Sequence, residues 1–118
     1  MTRLIAAAAN GATTLCAFEQ RSQPGTGAPP HRHPYDEEVI VVIEGVAEFH
    51  LDGRLRRICE GDAVIVPPGV VHSFVNNSNS TLRTIAIFGS AVPTVIYESE
   101  PDVSLTIGGG GAERIRAG

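Results

Sequence analysis

The stretch HRHPYDEEVIVVIEG, residues 31–45, decides the fold class. Residues 39–43 are five consecutive β-branched side chains, a run too short for a typical helix and rich in strand-forming residues. Ahead of it stand two histidines two positions apart. Successive side chains on a strand point to opposite faces, so His31 and His33 project together. Glu38 follows His33 by five positions, an odd offset that would turn it away on an uninterrupted strand. Pro34, Tyr35 and Asp36 are suited to break that strand, which lets Glu38 restart on a neighbouring strand facing the same interior. Both faces of residues 39–43 are expected to be covered, one by the interior and the other by a second sheet or a second subunit.

Outward from this segment the pattern stays β. Upstream, residues 13–20 are predicted as the first strand, and the Pro- and Gly-rich residues 24–30 as a rigid loop unable to join a sheet interior. Downstream, Ala47, Phe49 and Leu51 alternate with Glu48, His50 and Asp52, a half-buried strand that leaves His50 to solvent. Asp52-Gly53 and Gly61-Asp62 are turn signals, residues 63–66 an apolar strand, and Pro67-Pro68-Gly69 a corner placed just before His72. Residues 70–75 and 82–88 are strands flanking a polar turn whose Asn76 is expected to tie down a strand end. The fold class is therefore all-β and antiparallel. At 118 residues the chain suits one domain, 1–118, with a barrel core at about 12–100. The Gly-rich tail, 101–118, is expected to be flexible or packed on a partner.

Composition narrows the function. A net charge of −4 with no lysine argues against nucleic acid and anionic membranes as partners. Cys16 and Cys59 form no CxxC pair and are expected to be small buried apolar residues. The apolar residues 4–9 are too few to span a bilayer, and a cytoplasmic location is the expectation.

Three of the four histidines fall in one constellation with Glu38, and three neutral imidazoles with one carboxylate suit Fe, Mn, Ni, Cu, Co or Zn. The spacings add a family likeness. Gly25, five residues, His31-x-His33, four residues, Glu38, six residues and Gly45 resembles the first cupin motif. Gly61, five residues, Pro67-x-Gly69, two residues, His72, three residues and Asn76 resembles the second. The resemblance implies a cupin double-stranded β-helix, a jelly-roll barrel. It also implies one divalent transition metal per chain held by His31, His33, Glu38 and His72, and a homodimer. It does not fix the reaction, because cupins include dioxygenases, decarboxylases, lyases, isomerases and binding domains.

The function expected from this reading is a metal-dependent enzyme of dioxygenase-like type acting on a small anionic or enolisable compound. One carboxylate leaves a divalent ion with a charge of about +1, which favours an anionic ligand. The alternatives are a metal-assisted isomerase, lyase or decarboxylase, and a non-catalytic module that binds metal or a small ligand. Glu38 and Tyr35 are the candidate proton-transfer groups. Phe18, Gln20, Ile40, Val42 and Phe74 are the candidate pocket residues, and their apolar balance suits an aromatic or ketone-like substrate.

Overall fold

A computed structural model describes residues 1–109 and the backbone of 114–116. The strands are β1 (Thr2–Ala6), β2 (Cys16–Ser22), β3 (Gly27–Arg32), β4 (Glu38–Glu44), β5 (Val46–Leu51) and β6 (Arg54–Cys59). They continue with β7 (Ala63–Val66), β8 (His72–Val75), β9 (Leu82–Phe88), β10 (Thr94–Tyr97), β11 (Val103–Thr106) and β12 (Arg114–Arg116). A five-stranded sheet runs β1-β2-β9-β4-β7 and a seven-stranded sheet runs β12-β11-β10-β3-β8-β5-β6. Every pairing in both is antiparallel. The two sheets share one core, to which Ile40, Val64, Leu82 and Phe88 contribute from the first and Ala47, Phe49, Ile58 and Phe74 from the second. This is the sandwiched jelly roll expected from the alternating pattern. Among the described residues no helix is long and apolar enough to cross a membrane.

The segment at 34–36 carries the chain from β3, in the seven-stranded sheet, to β4, in the five-stranded one. That change of sheet is what brings Glu38 to the side His33 faces despite the odd offset. Asp52 and Gly53, at φ 50° and 77°, make the predicted tight turn between β5 and β6.

Several expectations need correction. The prolines at 29 and 30 lie within β3, not in a loop outside the sheet. They are tolerated because the ladder is irregular there: Ala28 pairs with Phe74 and His31 with His72, so one strand advances three residues while the other advances two. The extra residue also changes parity. Ala28 packs on the core, and without the bulge His31, three positions later, would face away from it. Gly27 leaves room for β8, since an added Cβ there would collide with the Phe74 carbonyl oxygen.

The barrel also extends beyond 12–100 at both ends. Residues 2–6 form β1 on β2, held partly by charge, since Glu19 is buried on β2 and receives Arg83 of β9 at 2.7 Å and Arg3 of β1 at 3.4 Å. The first part of the presumed tail is likewise structured: β11 pairs with β10, and the Ile107 N–H donates to the Pro93 carbonyl at 2.9 Å. The rest of the tail expectation, from 110 onward, lies outside the described residues apart from the backbone of β12. Cys16 is buried as expected, and burial raises its thiol pKa, whereas Cys59 on the edge strand β6 is exposed.

Asn76 ties strand ends together as anticipated. Fully buried, it donates to the Ser22 and Ser80 carbonyls at 2.9 and 2.7 Å, and its Oδ1 accepts from the Ser78 N–H and hydroxyl. Truncation would leave these groups without partners. We expect Asn76→Ala to lower stability by about 2–3 kcal/mol in urea denaturation, well above the effect of an exposed substitution such as Asn77→Ala.

Candidate metal centre

The ladder sets the site. His31 on β3 lies directly opposite His72 on β8, and β4 begins with Glu38, inward-facing and opposite Phe88 of β9. His33 follows the end of β3 and is held by its backbone, whose carbonyl accepts the Gly69 N–H at 2.8 Å. The Pro67-Pro68-Gly69 corner and the His31-x-His33 segment are thus fastened to each other. All four side chains are buried.

Each imidazole is fixed through its Nδ1. His31 Nδ1 meets the Pro29 carbonyl at 2.6 Å, His33 Nδ1 the Thr94 carbonyl at 2.9 Å, and His72 Nδ1 the Val70 carbonyl at 3.0 Å. A carbonyl oxygen can only accept, so Nδ1 carries the proton in every ring and, in the neutral imidazole, Nε2 presents a lone pair. The ligand atoms of the three rings lie within 4.8 Å of one another. Glu38 Oε1 stands 3.0 Å from His72 Nε2 and 3.3 Å from His33 Nε2. Among the described residues these three atoms are buried without a hydrogen-bond partner.

Three imidazoles thus turn lone pairs toward one another, and two of them meet the Glu38 carboxylate, where no neutral ring has a proton left to share. Burial drives the His31 imidazole pKa down to about 4, with the neighbouring His72 adding to the effect, so this ring stays neutral at physiological pH. Burial alone would raise the Glu38 carboxyl pKa; a proton on Nε2 of His33 or His72, hydrogen-bonded to the carboxylate, outweighs that and draws it down to about 2. A divalent cation in place of that proton would satisfy the carboxylate and the Nε2 lone pairs together. Metal bonds of about 2.1 Å put adjacent ligand atoms about 3 Å apart, which the two Glu38 separations match. The residues present fit a metal ion.

The centre opens on a cavity of about 320 Å³. Of the anticipated pocket residues, Phe18, Gln20, Ile40 and Phe74 line it. Val42 does not, because it lies deeper in the packed core with Leu82 and Phe49. Tyr35 is 78% exposed in the connection between the sheets and does not reach the cavity, so it is no candidate acid there. Glu37, next to Glu38 in sequence, is exposed, as is His50. The phenol that does line the cavity is Tyr97, paired with His31 across β10 and β3, with its ring 5.7 Å from the His31 ring. Sequence reasoning missed it, although Thr94–Tyr97, a β-branched and aromatic run directly after Pro93, carries a strand signal.

Comparison with known proteins adds to this geometry. The family model for the cupin domain matches residues 18–88. Germin-like protein 1-3 of Oryza sativa subsp. japonica is 37% identical over 70 residues, covering 55% of this chain and 31% of that protein. Germin-like protein subfamily 2 member 1 of Arabidopsis thaliana is 33% identical over 75 residues, 59% of this chain and 34% of that protein. The chain spans about a third of the length of the curated germin-like relatives it matches. Among solved structures, a sugar phosphate isomerase of the cupin superfamily from Silicibacter pomeroyi superposes with a TM-score of 0.72 at 22% identity, covering 90% of this chain and 69% of that one. Oxalate oxidase in complex with the substrate analogue glycolate gives 0.76 at 20% identity, covering 83% and 54%. At these identities the likeness is one of fold.

If the four side chains hold a metal, loading stabilises the folded chain. A divalent ion at a hundred times its dissociation constant should add about 2.7 kcal/mol. Differential scanning fluorimetry should show a rise in melting temperature on adding Co(II) or Mn(II), reversed by chelator, and no such rise in His72→Ala.

Proposed function

The chain belongs to the cupin family, and from that premise we propose that it binds one divalent first-row transition ion through His31, His33, Glu38 and His72. The bound ion serves as the reaction centre for a small anionic or enolisable organic substrate, with dioxygenase-type chemistry as the leading reading. The observation that supports this is three imidazoles with ligand atoms within 4.8 Å of one another, each ring held by a backbone carbonyl, and two of them within 3.3 Å of the Glu38 carboxylate. Four protein ligands leave two positions of an octahedral ion for substrate and a second small molecule.

When bound, the ion supplies a Lewis-acidic point of attachment with a residual charge of about +1. The chain's own groups do the rest. Phe18, Ile40 and Phe74 give the cavity apolar walls that exclude water and favour an aromatic or alkyl substituent over a polyhydroxylated one. Tyr97, on the cavity wall beside His31, replaces Tyr35 as the side chain placed to donate a hydrogen bond or a proton to a substrate held at the centre.

That phenol also favours a second reading, in which the reaction is a proton transfer such as isomerisation or decarboxylation and needs no O₂. Oxygen-electrode measurements on metal-loaded protein separate the two. The leading reading predicts O₂ uptake stoichiometric with substrate loss, and equal turnover under argon would replace it with the second. Tyr97→Phe should lower turnover by about 10²–10⁴-fold in the proton-transfer case while leaving metal content unchanged.

We further infer a homodimer formed on the outer face of the five-stranded sheet. Ile65 and Ile87 lie either side of Val39 in the ladder and are 63% and 39% exposed in the single chain, an apolar strip of the kind covered by a like surface. Light scattering should give twice the chain mass for the wild type and the chain mass for Ile65→Arg.

A further inference from the structure

The inward rows of the five-stranded sheet can be read across its ladder. Cys16, Phe88 and Glu38 form the row at the metal centre, Phe18, Ala86 and Ile40 the next, and Thr2, Gln20 and Thr84 the one beyond. Phe18, Ala86 and Ile40 all line the cavity, with Phe74 from the other sheet. Thr2, Gln20 and Thr84 line it as well. The cavity is therefore polar at both ends and apolar between. Thr84 is 4% exposed, yet among the described residues no side-chain hydrogen bond engages it or Gln20. The Thr84 hydroxyl and the half-buried Gln20 amide thus keep hydrogen-bonding capacity for a group in the cavity.

We propose that Gln20 and Thr84 form a second anchor, for a neutral hydrogen-bonding group on a ligand whose other end is held at the histidine cluster. The inference rests on the metal-centre reading and deepens it by naming the ligand class: an acid or enol head, a flat apolar middle and a hydroxyl, carbonyl or amide at the far end. Gln20 follows Cys16 by four residues, and Thr84 precedes Phe88 by four, so the two polar ends are about 13 Å apart along the strands at about 3.3 Å per residue. Side chains reaching inward from both ends shorten that to the length of a substituted arylalkanoic acid. Both anchor groups are uncharged and can donate as well as accept, which favours a hydroxyl or amide over a second carboxylate. A cavity of about 320 Å³ admits one such molecule and little more.

Phenylpyruvate and 4-hydroxyphenylpyruvate differ only in the far-end hydroxyl and serve as the probes. Co(II)-loaded protein is titrated with each while the cobalt d–d absorption is followed. The 4-hydroxy compound is expected to bind at least tenfold more tightly to the wild type. In Gln20→Leu and in Thr84→Val, each checked for full cobalt loading, that advantage should fall to less than threefold while phenylpyruvate affinity stays unchanged. Equal affinity of the two compounds for the wild type, a comparison that needs no variant to fold, overturns the second anchor and leaves the metal centre standing. An advantage that persists in both variants also overturns it. Failure of either compound to perturb the spectrum of fully loaded protein overturns the substrate class proposed above, and the anchor with it.

Discussion

The arrangement around Glu38 depends on where three protons are kept. Because the carbonyls of Pro29, Thr94 and Val70 each take the Nδ1–H of one imidazole, all three rings turn their lone pairs to one point, 3.0–3.3 Å from a carboxylate oxygen in two cases. In a buried space such a meeting is repulsive unless a positive charge occupies the middle. The backbone around the site is built to produce it. The same carbonyls are second-layer partners of a kind that orient metal-bound histidines in general, fixing tautomer and ring plane before any ion arrives.

Each carbonyl is supplied by an irregular feature of the barrel. The bulge at Pro29 and Pro30 restores the parity of His31 and provides its acceptor. The stretch leading into β8 provides the acceptor for His72, and β10, arriving from far along the chain, provides the one for His33. The sandwich holds these against each other through ordinary apolar burial. Its packed lower half, with Val42, Leu82 and Phe49, leaves the upper half free to remain a cavity. Packed core and open cavity are thus divided along the length of the same strands.

Much of this was legible in the sequence because it follows from period-two alternation and turn chemistry. β7 and β9 lie where the residues predict, Glu38 restarts on the facing sheet after the Pro34 break, and Asn76 ties strand ends. Motif spacing carried the family resemblance. What the sequence concealed depends on long-range register. Whether Pro29 and Pro30 end a strand or kink one is decided by β8, 40 or more positions away, and only the kinked outcome turns His31 inward. Val42 and Gln20 have the same inward parity, but the depth of the cavity floor, set by the opposite sheet, separates a core residue from a lining one. Tyr97 and Ile107 reach the cavity from segments whose place in the sheet no local pattern determines, whereas Tyr35, nearest the motif in sequence, faces solvent.

Metal ligation by His31, His33, Glu38 and His72 is the central proposal. A crystal structure of the protein reconstituted with Co(II), phased with data collected either side of the cobalt edge, tests it most directly. Ligation by these residues predicts one anomalous peak per chain, about 2.1 Å from the Nε2 atoms of His31, His33 and His72 and from a Glu38 oxygen. No peak at that point in fully reconstituted protein, with the rings hydrogen-bonded to one another or to water, would contradict it.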